Sequence, residues 1–600
     1  MGDHGHVPVQ RGSTRRRFLG EAAALGALAT TGLATRSSAR AAPRPARGRR
    51  VAVFGGGVAG LTAAHELAER GYDVTVYEPR AWGGKVRSHD VAGTGRDGRK
   101  PLPAEHTPHM IFGMYQHLPD TMRRIPFPGN EDGVFGNLIG TPEFAFDGSP
   151  QGDFVLELGD TAPHAYEPHL DFLAKLATHM PPEDFAHFAQ RVAVVLSSSD
   201  ERRFGELEQM SWWDFLDAEH RSEEFRSIAV DFFTKGATAQ NPRRASARAI
   251  GGAVEAILYS ALGRCGDGPV LRVLSGPKNE VFIEPWLAHL RFLGVRLRLG
   301  HAVTGLEVQR GQIASAHVHG PHGRYRVDAD HFVIAVPVWR AGALWSDAVL
   351  RADPALEGTR HADLWWSNAL QFYLRRRTPI AKGMVAFVDS PWALVAYTQA
   401  QFWPRRDFVR DYGDGVVQDC LSACISDFHQ PGILYGKTAA ELTAPEVARD
   451  AWAQVKRHVP ELADADLVRW TIDPALRFAR GGRRGIVANS DPYPNQNAGS
   501  WEHRVEPHSA IPNLFIAGEH VRGSFPLAAT ELANETARRA VNALLARDGS
   551  TATPCAVHEM YRPPEWEAAK AIDAVRYHAG QPNLLAAADA PPFDLQSLQA

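Results

Sequence analysis

The stretch VAVFGGGVAGLTAAHELAERGYDVTVYE, Val51 to Glu78, constrains the fold more than any other part of the chain. VAVF is an apolar run suited to a strand buried on both faces, and Gly55, Gly57 and Gly60 follow it in GxGxxG spacing. The first glycine permits a tight turn, and the second lets the backbone approach a pyrophosphate. The third, with Val58 and Ala59 between it and the second, lets a helix pack on the strand with its N-terminal amides toward the phosphates. LTAAHELAER reads as that helix, Gly71 stops it, and YDVTVY makes the next strand. Glu78 closes that strand where an acid would hold ribose hydroxyls and repel a 2′-phosphate, which disfavours NADP and leaves NAD and FAD.

The fingerprint starts fifty residues into the chain, behind a leader with its own logic. STRRRFLG carries Arg15 and Arg16 ahead of Phe18 and Leu19. An alanine- and glycine-rich run follows, then SARAA with Ala39 and Ala41 in a small-x-small cleavage pattern. Residues 1–41 resemble a twin-arginine signal peptide. That predicts a partner, the export machinery, and a periplasmic or extracellular destination reached after the cofactor has been loaded. The apolar run is short and interrupted by Glu21, unlike a membrane span. The other reading of the leader is a basic tail.

The 600 residues allow more than one domain, and 44% apolar residues suffice for large cores. A net charge of −3 gives no footprint for nucleic acid. The four cysteines, Cys265, Cys420, Cys424 and Cys555, form no CxxC pair, so no metal site is expected, and their disulfide state stays open. No internal repeat, low-complexity block or Ser/His/Asp constellation stands out.

After Glu78 come Pro79 and Arg80, then Gly83, Gly84 and Lys85. Two glycines allow close backbone approach, and Lys85 or Arg87 can neutralise phosphate. An acid followed by a glycine pair and a base resembles the flavin amine oxidase and phytoene desaturase superfamily, whose cofactor is FAD. The resemblance recurs in IPNLFIAGEHVRGSFPLAATELANETARRAVNALL, Ile511 to Leu545. There it implies that Gly518 and Glu519 approach the ribityl chain, and that a helix with Glu531 and Leu532 in its first turn points at the flavin. Leu532 departs from the small residue usual in the family, which puts the closeness of that helix to the ring in question.

The same resemblance implies that Val303 contacts adenine. It also implies that Glu105 and His106 pass the flavin ring, with His106 as a base or a polar contact, and that the nearest branch is hydroxysqualene-dehydroxylase-like and phytoene-desaturase-like. The expected class is α/β: a Rossmann-like FAD-binding domain built from N-terminal (48–104), middle (281–340) and C-terminal (491–548) segments. A mixed β-sheet substrate domain and helical cap (105–280 and 341–490) and a helical extension (549–600) complete it. Aromatic-rich stretches such as DLWWSNALQFYLRR could line an apolar pocket.

The implied activity is that of an FAD-dependent desaturase or dehydrogenase taking a hydride to flavin N5 from a small apolar, isoprenoid-like substrate, with oxygen or a quinone as electron acceptor. The alternatives are an amine or amino-acid oxidase releasing hydrogen peroxide, and, because of Leu532, a flavin-binding protein without catalysis.

Overall fold

A computed structural model describes residues 49–158, 174–378, 380–481 and 483–586. The leader and the last residues of the C-terminal extension lie outside the described residues. The organising layer is a five-stranded sheet of β1 (Arg50–Phe54), β2 (Asp73–Glu78), β3 (Arg296–Leu299), β4 (His331–Ile334) and β5 (Leu514–Ile516). Its order is β3-β2-β1-β4-β5, and every pairing is parallel. That is a doubly wound sheet whose order reverses beside β1, where such folds open a ligand crevice. Its strands come from the three widely separated segments expected from sequence.

Two helices cover one face: α1 (Val58–Glu69) after the glycine turn and α2 (Thr530–Arg547) after β5. Asn534 Nδ2 on α2 donates to Thr62 Oγ1 on α1 at 2.9 Å, tying the first and last parts of the fold. Between β3 and β4 the chain makes an antiparallel meander, Ala302–Gln309, Gln312–Gly320 and Gly323–Val327, as the alternating pattern predicts.

A second sheet has seven strands and mixed direction. Six neighbour pairs link Leu467–Ile472, Asn368–Leu374, Asp419–Ile425, Val395–Thr398, Gly383–Phe387, Glu143–Asp147 and Phe154–Glu157, and only Gly383–Phe387 against Glu143–Asp147 is parallel. The helix Ala444–His458 lies on one face, burying Val447, Ala451 and Val455 with Leu370, Phe372 and Leu374. Its start is fixed by a capping box in which the Thr443 N–H donates to Glu446 at 3.0 Å.

The helical cap includes Pro182–Ser197 and Ala247–Ala261, and the extension adds Glu567–His578 after Pro563 and Pro564. Asp573 in that helix accepts from the Ser199 N–H and from Arg202, which anchors the extension on the cap. No helix among the described residues is long and apolar enough to cross a membrane. All four cysteines are free thiols.

Candidate functional site

At the switch point of the first sheet lies a cavity of about 670 Å³ that runs to the second sheet. It begins at the turn after β1. Gly55 has φ +113°, and a Cβ there would sit 2.2 Å from the Ala335 carbonyl oxygen, so only glycine fits. Gly60 does not face the cavity; a Cβ on it would meet Gly55 O at 1.9 Å, so its role is the close seating of α1 on the turn. The second glycine loop docks on the first, with the Gly83 N–H donating to Gly56 O at 2.8 Å.

Gly55, Gly57, Val58, Ala59, Glu78, Pro79, Arg80, Gly83, Gly84, Lys85, His106, Val303, Gly518 and Glu519 all line this one cavity. Glu78 accepts from the N–H groups of Gly56 (2.9 Å), Arg80 (2.8 Å) and Ala81 (3.2 Å), holding the turn that would carry ribose and pyrophosphate. Lys85 pairs with Glu519, joining the two distant motifs across the cavity.

Asp491, which nothing local in SDPYP marks, is the counter-ion of both arginines, pairing with Arg80 and with Arg87 Nη2 at 2.8 Å. Burial would raise its pKa, but the Arg87 and Arg80 guanidiniums override that and hold it at about 2.

Three residues expected at the cofactor lie behind the wall. Glu105 is buried against Lys278, 2.9 Å away, and accepts from Tyr397 Oη at 3.3 Å. Burial lowers the pKa of Lys278, and the Glu105 carboxylate opposes that shift. Glu531 turns away from the cavity. Its carboxylate accepts from the N–H groups of Gln116 (2.8 Å), His117 (2.7 Å) and Leu118 (2.9 Å), and from His117 Nδ1 (2.8 Å), capping the helix His117–Arg124. Leu532 is fully buried with its Cδ1 beside Gly523, so its bulk does not enter the cavity.

What lines the cavity there instead is Ala528 and Ala529 ahead of α2, and Thr530 and Ala533 on it. Ala529 is the N-cap and has no side chain to occupy the first-turn amides, so those donors remain available at the cavity wall.

His106 reaches the cavity with its other nitrogen committed: Nδ1 lies 2.5 Å from Asp473 Oδ2, which also accepts from Asn368 Nδ2 at 2.6 Å. Burial would raise the Asp473 pKa, but the His106 hydrogen bond and the Ala475 and Asn368 donors hold it lowered. Beside His106 the lining includes apolar Met110, Phe112 and Tyr115, with Met384 and Val395 of the second sheet, and polar His109, Ser367 and Ser426.

Three buried polar atoms on the wall, Tyr493 Oη, His520 Nε2 and Trp339 Nε1, have no hydrogen-bond partner among the described residues. Burial, with Arg504 and Lys85 nearby, lowers the His520 pKa to about 3. Unmet polar atoms, uncapped helix amides and a turn that excludes any Cβ fit a large polar cofactor with an extended phosphate-bearing tail.

Residues 58–545 match the family described as flavin containing amine oxidoreductase. The chain belongs to that family. FAD is its cofactor, and it is an FAD-dependent oxidoreductase of the amine oxidase and carotenoid desaturase group. It is 29% identical over 510 residues to the carotenoid phi-ring synthase of Streptomyces griseus, covering 83% of this chain and 88% of that one. A zeta-carotene desaturase of Synechocystis shares 39% identity over 77 residues, 13% of this chain and 14% of the relative. The fold resembles putrescine oxidase (16% identity, TM-score 0.55, 83% of this chain and 99% of that one). It also resembles cyclohexylamine oxidase from Brevibacterium oxydans (14%, TM-score 0.54, 84% and 99%). Membership of an enzyme family sets aside the reading as a non-catalytic flavin carrier, and the buried position of Leu532 removes its motive.

Proposed function

We propose that this family member is a desaturase or dehydrogenase acting on an apolar, isoprenoid-like substrate. The observation that carries this reading is the charge inventory of the cavity. Its carboxylates are Glu78, Asp491 and Glu519, and each is already committed, to backbone amides, to two arginines and to Lys85. None is left to receive an ammonium group, and desolvating an unpaired substrate cation against Met110, Phe112, Met384 and Val395 would be unfavourable. A neutral hydrocarbon carries no such cost and gains from burial there. The chain's similarity to a carotenoid phi-ring synthase and a zeta-carotene desaturase supports the same substrate class.

When bound, FAD supplies the hydride acceptor. The chain's own part is to hold a substrate carbon in line and exclude water. Asp473, by accepting from His106 Nδ1–H, fixes the imidazole so that Nε2 carries the lone pair. His106 Nε2 takes the proton from the carbon beside the one that loses hydride, and a double bond results. Oxygen or a quinone would serve as electron acceptor for the bound flavin. The leader, through Arg15 and Arg16, directs the loaded protein out of the cytoplasm.

The test of the substrate class is product analysis with acyclic and cyclic polyenes under an added quinone. The expected product is lighter by two hydrogens. Turnover of primary amines with no polyene product would overturn the reading. Export is tested by Arg15→Lys with Arg16→Lys, which is expected to retain the protein in the cytoplasm; unchanged export would refute the leader's role.

A further inference from the structure

Away from the flavin cavity, α1 carries His65 and Glu69 one turn apart, and the helix Glu284–Phe292 brings His289 against them. One ligand atom from each of the three lies within 4.8 Å of the others. His65 Nε2 and Glu69 Oε1 are 3.2 Å apart, and the His65 and His289 rings meet edge to face at 4.9 Å.

His65 is fully buried; among the described residues its Nδ1 has no hydrogen-bond partner, its Nε2 faces only the Glu69 carboxylate, and buried His289 Nε2 has none. Buried imidazole nitrogens without partners are costly and ask for a ligand. Two imidazoles and a carboxylate suit a borderline ion. In tetrahedral zinc sites the ligand bonds of about 2.0–2.2 Å put donor atoms about 3.3 Å apart, a spacing that His65 and Glu69 already have.

We infer that His65, Glu69 and His289 form a zinc site, with a water completing the shell on the partly exposed Glu69 side. Arg124 Nη1 donates to Glu69 Oε2, leaving Oε1 for the metal. That is the outer hydrogen bond that orients a ligating carboxylate. The site would fasten the fingerprint helix to the helix preceding β3, as a structural clamp rather than part of the reaction. The cysteine spacing gave no sign of it, because the ligands are an i, i+4 pair and a histidine far along the chain.

The experiment uses the flavin-loaded full chain, with Zn²⁺ alone as probe. Calorimetric titration is expected to show one equivalent bound. Zinc X-ray absorption is expected to show only nitrogen and oxygen neighbours at about 2.0–2.2 Å, and the thermal midpoint should rise. His289→Gln and Glu69→Gln should each weaken binding by more than about tenfold while leaving the flavin spectrum unchanged. If His289→Gln does not fold, as its flavin spectrum would report, Glu69→Gln carries the comparison. Failure of the wild-type chain to bind zinc, or variants that bind it as well as wild type, would overturn the site.

Discussion

Glu531, expected beside the flavin, instead holds the start of the helix His117–Arg124, and its replacement tests that role. Glu531 is 2% exposed, and its carboxylate accepts three backbone N–H groups and His117 Nδ1 at 2.7–2.9 Å. Each buried donor left without a partner costs about 1–3 kcal/mol, less what an entering water restores, so Glu531→Ala should lose about 4 kcal/mol. Glu531→Gln keeps one acceptor oxygen but turns an amide NH₂ toward a donor, and should lose about 1–2 kcal/mol.

The assay is urea unfolding of the flavin-loaded protein, followed by flavin fluorescence. The charge also sets a pH dependence. Burial would raise the Glu531 pKa, but the hydrogen bond and charge of His117 and the amides hold it below 4.5. Its stabilisation is therefore complete above 4.5 and is lost as pH falls from there toward the folded value. Glu531→Gln should lack that acid-side slope. A Glu531→Ala protein within about 1 kcal/mol of wild type would refute the capping role.

Gly55→Ala should yield a protein without flavin, since its Cβ would meet the Ala335 carbonyl at 2.2 Å; a normally loaded, yellow variant would contradict the turn geometry. Leu532→Ala should lose about 2–4 kcal/mol of stability and keep an unaltered flavin spectrum; a shifted spectrum at unchanged stability would place Leu532 at the cofactor after all. Asp491→Asn should release flavin more readily on ultrafiltration. In wild type the arginine clamp should persist above pH 3.8 and weaken as pH falls toward 2, because the lowered carboxylate protonates only there. Equal retention by both proteins at neutral pH would contradict it.

The cofactor end was legible because its constraints are local. A buried strand, three spaced glycines and an acid lie within one short stretch, and each does a job set by backbone geometry. β5 and the start of α2 were legible for the same reason. Which side chains of α2 face the cavity was not, since helix rotation is set by packing: Glu531 and Leu532 turn away from it into the protein, and Thr530 and Ala533 line it. Asp491, Asp473 and Lys278 left no sequence signal. Their partners Arg80, His106 and Glu105 lie 411, 367 and 173 residues away, and pairing at that range exists only in the folded chain. The resemblance expected His106 beside the flavin, and nothing in the sequence marked the Asp473 carboxylate that lies 2.5 Å from its Nδ1.

The central claim is that the cavity takes a neutral apolar substrate. It is tested most directly by anaerobic stopped-flow mixing of the flavin-loaded enzyme with polyenes and, separately, with primary amines. The visible flavin band is expected to bleach with a polyene and to persist with every amine. Bleaching by an amine, with no response to polyenes, would contradict it.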